Sequence, residues 1–277
     1  MVRLAILFVL VLVTLRGADT KLAVAQTSLH QFDGGPPVPR DQDFFPGEMV
    51  FVTLNVSGFK PTEDGKIHLR YEIQAFDPEG KSLAPPVSNA ISTELAPEDK
   101  KWMPKIRWEV LVPSTAPSGD YKVKIKISDE IANTKAEHEV TFHVKGRQLQ
   151  PSEALGLQDF RFYRGEDDVS ALKQASYKPG DQVWGRFEIV AYKLAANNRL
   201  DVEYGIRVTG SDDKVFFDAP EAAVAREESH YPKRFVSGVL NLNLGKDMTP
   251  GEYTITVSLR DKIGNQTAES RHVFRIE

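Results

Sequence analysis

The residues of this chain that could perform chemistry are histidines and carboxylates, and their spacing matches no catalytic motif. The histidines are His30, His68, His138, His143, His230 and His272. They lack the paired spacing that places two zinc ligands on one face of a helix. The sequence also has no nucleophile elbow, P-loop or GxGxxG fingerprint. We therefore expect a protein that is not an enzyme, with no catalytic residue, no metal site and no cofactor.

Acidic residues cluster in two predicted turns. The clusters are Glu166-Asp167-Asp168 and Asp212-Asp213. Calcium takes roughly six to eight oxygen ligands, and neither cluster has the Asp-x-Asp-x-Asp spacing that supplies them from one loop. We interpret both as solvated turns, with a calcium site as the alternative. The pairs Asp129/Asn133 and Asp261/Asn265 have the same alternative, although their spacing favours side chains that cap a tight turn.

Two longer loops each carry an aromatic residue shortly before a Pro-Lys pair. Trp102 and Met103 precede that pair in the first loop, and His230 and Tyr231 precede it in the second. A large, flat side chain contributes contact area at low entropic cost, so it is suited to contact with a protein or a sugar. The alternative is that each loop covers the open end of its own domain. These four residues are the candidate ligand-binding residues of the sequence.

The strands that must position these loops occur twice in the chain. Residues 118–129 and 250–261 each begin with a glycine turn that leads into a tyrosine, after which apolar and polar side chains alternate. A period of two predicts a strand with one buried face. The same offset relates His272 to Val140, so we expect His272 to be partly buried and hydrogen-bonded, with a catalytic or metal role as the alternative. The sequence therefore predicts two copies of one unit.

Each copy has about seven short strands separated by glycine and proline turns, which is typical of a two-sheet sandwich. No stretch of the sequence has a sustained helical period, and the one helical turn that we expect lies at residues 220–228. The prediction is an all-β chain of two tandem antiparallel β-sandwich domains, at residues 26–146 and 159–277, joined by a linker at 147–158.

Two motifs connect this pattern to a known type of domain. The sixth strand of each unit begins with Gly-[Asp/Glu]-Tyr, and Asp-x-Ile-x-Asn follows. With these motifs, each unit resembles the immunoglobulin-like and fibronectin-III-like domains of bacterial secreted proteins, over residues 29–145 and 155–277. The resemblance implies that Tyr121 and Tyr253 each fold back onto the backbone in a structural tyrosine corner. It implies no particular activity, because this architecture hosts many functions.

The first 25 residues have the composition of a secretory signal peptide. Arg3 precedes an apolar run at residues 4–15, and Ala23-Val24-Ala25 forms a small-x-small end, so we expect cleavage after Ala25. The apolar run is shorter than the roughly 20 residues that cross a bilayer, so we expect no stable membrane insertion after cleavage. A retained membrane anchor is the alternative.

Composition restricts the partners and the location of the protein. The formal net charge of −4 argues against a basic surface for nucleic acid or for an anionic membrane. The sequence has no cysteine, so disulfides and thiolate chemistry are excluded. Extracellular sandwiches of eukaryotes commonly rely on disulfides, so we expect a bacterial protein that is secreted or periplasmic.

Together, these features predict a non-catalytic exported binding or scaffolding module of the cell envelope. We expect it to recognise an envelope protein or a glycan through the loops of its tandem sandwiches. The alternatives are an accessory domain or subunit of a secreted enzyme and a purely structural spacer.

Overall fold

A computed structural model describes residues 21–39, 41–96, 98–99 and 101–277. Regular structure in these residues is β-strand apart from one short 3-10 turn, Ala196–Asn198, so the expected all-β class is confirmed. Residues 1–20, which form most of the predicted signal peptide, lie outside the described residues.

The described strands fall into two successive sets of eight, which we call the first unit and the second unit. The strands of the first unit are β1 (Ala23–His30), β2 (Asp43–Phe44), β3 (Met49–Ser57), β4 (Lys66–Phe76), β5 (Val87–Glu94), β6 (Lys105–Leu111), β7 (Gly119–Asp129) and β8 (Thr134–Val144). Those of the second unit are β9 (Gly156–Tyr163), β10 (Ser176–Tyr177), β11 (Gln182–Val190), β12 (Leu200–Gly210), β13 (Val215–Glu227), β14 (Phe235–Asn243), β15 (Gly251–Asp261) and β16 (Gln266–Ile276).

Both units have the same strand order. In the first unit, β1-β3-β6 form a three-stranded sheet and β2-β8-β7-β4-β5 form a five-stranded sheet. The corresponding orders in the second unit are β9-β11-β14 and β10-β16-β15-β12-β13. The short pairs β2–β8 and β10–β16 are parallel, so the expectation of purely antiparallel sheets fails at these two edges. The matching order is the connectivity that duplication of one unit would produce.

Alternating side chains from the two sheets of each unit form one core. On β7, Val123 and Ile125 are buried, whereas Lys124 between them is exposed. They belong to one apolar cluster with Val52 of β3, and the second unit has its own cluster that joins Phe187 of β11 to Val257 of β15. Burying each such side chain stabilises the fold by roughly 1.5–3 kcal/mol. The two-residue period of the sequence thus describes the side chains that hold the sheets together.

The helical turn expected at residues 220–228 is wrong, because Val215–Glu227 forms the edge strand β13. Its pairing with β12 is interrupted by a bulge opposite Gly205. A Cβ at Gly205 would collide with the Pro220 carbonyl oxygen, so the missing side chain permits this close approach. Backbone pairing along β12 outweighs the helix propensity of the alanines in this segment.

The amino-terminal boundary also differs from the prediction. Leu22 is buried in the core of the first unit, and β1 begins at Ala23 and pairs with β3. The predicted cleavage after Ala25 and the domain boundary at residue 26 therefore fall inside β1. Cleavage there would remove Leu22 and the first three residues of this strand.

Candidate functional site

The loop between β5 and β6 presents Trp102 and Met103 on the surface, where they are 40% and 38% exposed. The residue that follows them fixes the loop, because Pro104 is buried and its carbonyl oxygen accepts a 3.0 Å hydrogen bond from the Val56 N–H. The Trp102 ring also meets the Phe59 ring edge-on, with 6.5 Å between centroids. The loop therefore holds an exposed aromatic side chain on an anchored backbone.

Three connections meet at this end of the first unit, namely β3–β4, β5–β6 and β7–β8. We call it the outer end, and we call Phe59, Trp102 and Met103 the outer patch. Ile131, in the β7–β8 turn, is a further exposed apolar residue at this end. The patch therefore lies at the end of the sandwich where three connections converge.

A buried carboxylate fastens two of these connections together. Asp129 Oδ2 accepts a 2.7 Å hydrogen bond from the Lys60 N–H, and Oδ1 accepts from the N–H groups of Ile131 and Ala132. In the second unit, Asp261 accepts in the same way from the N–H groups that start the equivalent turns. Because these oxygens already accept backbone hydrogen bonds, turn capping accounts for both residues better than calcium does.

The equivalent loop of the second unit is placed differently. Tyr231 is 6% exposed and belongs to the apolar cluster of the first unit. Its hydroxyl donates a 2.8 Å hydrogen bond to Asp77 Oδ2, and Asp77 is itself buried. Tyr231 is therefore buried against the neighbouring unit, whereas the sequence predicted a ligand-contact residue. Its loop docks on the neighbouring unit instead.

Polar contacts around Tyr231 complete this junction. Arg234 lies 2.7 Å from Glu79 Oε1 and 3.7 Å from Asp77 Oδ2. His230 Nε2 lies 3.2 Å from Ser82 Oγ. The loop that was predicted to bind a ligand is thus held by the β4–β5 connection of the first unit.

Burial in the junction raises the pKa of the two tyrosine hydroxyls that meet there. For Tyr231, burial is the main cause of the raised pKa, the hydrogen bond to Asp77 adds to it, and Arg234 opposes it. For Tyr121, burial again is the main cause, and the neighbouring Tyr231 adds to the raised pKa. Both hydroxyls therefore stay protonated at neutral pH and act as hydrogen-bond donors.

The connection between the units is held by a second buried charge. Arg147, in the predicted linker, forms an ion pair with Glu188 of β11, whose side chain is buried. Ser237 donates a 2.8 Å hydrogen bond to the other oxygen of that carboxylate, and the Arg147 guanidinium lies 5.5 Å from the centre of the Phe235 ring. The Arg147 side chain is more than half exposed, so it brings a solvated positive charge to a buried carboxylate, and this contact favours the observed path of the chain across the junction.

The two tyrosines assigned to corners are buried and bonded to the backbone. The Tyr121 hydroxyl donates a 2.9 Å hydrogen bond to the Pro117 carbonyl oxygen, and the Tyr253 hydroxyl donates a 2.8 Å hydrogen bond to that of Thr249. Each acceptor lies four residues before its tyrosine. These hydrogen bonds brace the turn before β7 and the turn before β15.

His272 has the surroundings of a packed side chain. Its ring stacks on Phe160 with 3.6 Å between centroids, and its Nε2 lies 2.9 Å from Ser270 Oγ. Burial lowers the pKa of the imidazole. In the part of the chain that the structure describes, no three or more His, Asp or Glu side chains lie close enough together to hold a metal ion.

The four residues predicted to bind a ligand therefore do not form one site. Trp102 and Met103 lie at the outer end of the first unit, and the loop of His230 and Tyr231 docks on its opposite end. The candidate functional site is the outer patch.

Asp77 and Arg234, the charged residues of the junction, were not predicted from the sequence. The sequence contains a signal for Asp77, because the second unit has Gly210 at the corresponding position and the two copies therefore differ there. Arg234 has no comparable signal, because charged residues are common in loops.

Within residues 21–39, 41–96, 98–99 and 101–277, no helix is long and apolar enough to span a membrane.

The sequence matches no family model and no curated protein. Three of the solved structures that match are distantly similar. The C-terminal domain of the Streptococcus agalactiae AgI/II polypeptide BspA is 10% identical, with 92% of this chain and 99% of that chain covered and a TM-score of 0.31. The C-terminal domain of the Streptococcus pyogenes antigen I/II-family protein AspA is 11% identical, with 93% and 99% covered and a TM-score of 0.29.

A family 123 glycoside hydrolase from Clostridium perfringens is 10% identical, with 45% of this chain and 26% of that chain covered and a TM-score of 0.29. Superpositions this loose support no argument about the fold or the function of this chain.

Proposed function

We propose that each unit is an immunoglobulin-like, fibronectin-III-like sandwich domain and that the chain is a non-catalytic exported binding or scaffolding module of the cell envelope. The sandwich is supported in each unit by a three-stranded and a five-stranded sheet whose apolar faces share one core. The backbone hydrogen bonds of Tyr121 and Tyr253 are further support, because such corners are typical of these domains.

One observation carries the binding role. The same loop, before β6 and before β14, is used in the second unit for a buried contact with a protein surface through Tyr231. In the first unit it presents Trp102 and Met103 to solvent on an anchored backbone. Exposed aromatic and methionine side chains are enriched at interfaces, so the outer patch is the surface we assign to a protein or glycan partner.

The sequence supports the proposed location of the protein and the proposed class of partner. A charged start, a short apolar run and small residues support export, and an exported chain without cysteine supports a periplasmic or secreted protein. The partner in this proposal is an envelope protein or a glycan. Nucleic acid and stable membrane insertion are not part of it.

A scaffolding role is supported by the junction. Tyr231 and Arg234 of the second unit contact Asp77 and Glu79 of the first, and Arg147 is paired with a buried carboxylate. Contacts of this kind restrict the angle between two domains. A structural spacer is therefore the second candidate function, and it predicts no dependence on Trp102.

The experiment is capture of proteins and glycans from a cell-envelope extract by the purified chain, with Trp102→Ala and Met103→Ala as the test variants. Leu111→Ala is the matched control, because Leu111 is 53% exposed and lies at the far end of β6 from the outer patch. We expect Trp102→Ala to weaken capture about ten-fold or more, as loss of an interface aromatic does. Capture that both test variants retain at the level of the control would remove the outer patch from the proposal.

A further inference from the structure

The free end of the second unit contains an open pocket. It has a volume of about 380 Å³ and lies between the β12–β13 turn and the β14–β15 connection. Its lining includes Gly210, Phe216, Met248 and Tyr253. Phe216 is 41% exposed and meets the Tyr253 ring edge-on at 5.2 Å. An exposed aromatic side chain beside a concave surface is typical of a binding site.

The repeat shows what fills the corresponding place in the first unit. Gly210 corresponds to Asp77 and Tyr253 corresponds to Tyr121. In the first unit, Tyr231 lies at this place, bonded to Asp77 and next to the Tyr121 hydroxyl. The pocket of the second unit therefore corresponds to the surface of the first unit against which the Tyr231 loop packs.

Among the described residues, the chain therefore has one junction in which a loop meets its receiving surface, and it has a second loop and a second receiving surface that do not meet each other. The junction joins the Tyr231 loop to the first unit. The second loop is the outer patch with Trp102, at the end of the first unit that corresponds to the docked end of the second. The second receiving surface is the pocket at Gly210 and Phe216.

We propose that copies of this chain associate head to tail, with Trp102 of one copy inserted into the Gly210–Phe216 pocket of the next. The inference rests on the proposed function, since it names a second copy of the chain as a partner of the outer patch. The pocket and the patch lie on different units, so the contact is heterologous. A heterologous contact repeats from copy to copy and produces open chains unless the rotation closes a ring.

The residues at the two surfaces suit this contact. Glycine at position 210 removes the carboxylate that accepts the Tyr231 hydroxyl at Asp77, and the Phe216 ring lies close to the place where that side chain would begin. An inserted indole would therefore meet the Phe216 ring in place of a carboxylate. Phe216 and Met248 provide an aromatic ring and a thioether, both of which pack well on aromatic side chains.

The pocket carries an excess of acidic side chains, since its lining includes Asp212, Asp247, Glu252 and Lys214. In the described part of the Trp102 loop, Lys101 and Lys105 balance Glu98 and Asp99. Charge therefore does not oppose this pairing.

Sedimentation velocity of the purified full chain over a wide concentration range tests the proposal. We expect the average mass to rise with concentration, and Trp102→Ala and Phe216→Ala each to weaken association about ten-fold or more. Gly210→Asp, which restores the residue of the first unit, is a second pocket variant with the same expected result. Phe217→Ala and Leu111→Ala are the controls, because both side chains are exposed and neither lines the pocket.

A mixture separates this arrangement from other dimers. Trp102→Ala keeps an intact pocket and Phe216→Ala keeps an intact outer patch, so the two variants together should form dimers and nothing longer. A chain that is monomeric throughout would overturn the inference, as would association that Trp102→Ala or the pocket variants leave unchanged. A monomeric chain that still captures envelope material through Trp102 would contradict the head-to-tail association and would not contradict the proposed function.

Discussion

The Tyr231 hydroxyl of the second unit lies 2.8 Å from Oδ2 of Asp77 in the first unit, and the carboxylate that it meets is 2% exposed. The other oxygen of Asp77 accepts hydrogen bonds from the N–H groups of Glu79 and Lys81, so it caps its own turn. The turn thus has its own support within the first unit, whereas the buried Oδ2 depends on donors from the second. A buried acceptor of this kind specifies one arrangement of the two units.

Replacing Tyr231 with phenylalanine should destabilise the junction by about 1–3 kcal/mol, because it leaves a buried carboxylate oxygen without its hydroxyl donor. Urea unfolding of the full chain measures this as a lower midpoint. Tyr71→Phe is the control, since Tyr71 lies on β4 outside the junction. Equal midpoints for Tyr231→Phe and the original chain would show that the hydrogen bond does not hold the units together.

The junction should also weaken in alkaline solution. Burial raises the pKa of Tyr231 above its ordinary value, and an unfolded tyrosine has a pKa of about 10. The stability linked to this shift is fully present below about pH 10 and is lost as the pH rises through the higher folded value. Unfolding midpoints measured from neutral pH upward should fall above about pH 10, and less steeply for Tyr231→Phe. Identical slopes for the two proteins would contradict the prediction.

His272 should make the second unit sensitive to mild acid. Burial lowers the pKa of its imidazole from the ordinary 6.5. A lowered folded pKa stabilises the fold above the unfolded value, and this contribution is lost as the pH falls through the folded value. His272→Val, which restores the residue at Val140 of the first unit, should remove this loss. If thermal unfolding of the variant declines below pH 6.5 as steeply as the original, the imidazole is not responsible.

Gly205→Ala should cost about 1–3 kcal/mol, because the added methyl group collides with the backbone of the β13 bulge at Pro220. Gly156→Ala is the matched control, since its nearest contact would be an ordinary 3.7 Å. Chemical unfolding distinguishes the two variants. Comparable stability would mean that β13 is not held against β12 at this point.

A chain that begins at Gln26 should be less stable than one that begins at Lys21. The shorter chain lacks the buried side chain of Leu22 and the start of β1, a loss of roughly 1.5–3 kcal/mol for the leucine alone. Thermal unfolding of the two purified chains is the measurement. Matching transitions would place the start of the first domain at residue 26 after all.

The sequence predicts the strands well and the junction poorly, for a physical reason. Alternation such as that of Val123 and Ile125 on β7 reports directly on which face is buried, so the core follows from local pattern. The contact between Tyr231 and Asp77 joins residues that are far apart in the chain. The local sequence around either residue does not identify the other as its partner. The same limit explains β13, whose alanines are paired by β12 into a strand that their own propensity does not favour.

Two of the three residues of the outer patch could be predicted. Trp102 and Met103 interrupt the alternating pattern of the first unit, and they are exposed in the structure. Tyr231 has the same sequence context and is buried, because the first unit packs against its loop, whereas no second unit packs against the Trp102 loop among the described residues. Exposure at a domain end depends on the neighbouring domain, which local sequence does not encode.

The central claim is that a bound partner covers the outer patch when the protein functions. Hydroxyl-radical footprinting of the full chain, alone at low concentration and then in envelope extract, tests it most directly. The account predicts that Trp102 and Met103 become several-fold less oxidised in the extract, while Leu111 at the other end of β6 is unchanged. Equal oxidation of Trp102 and Met103 in both conditions would contradict it.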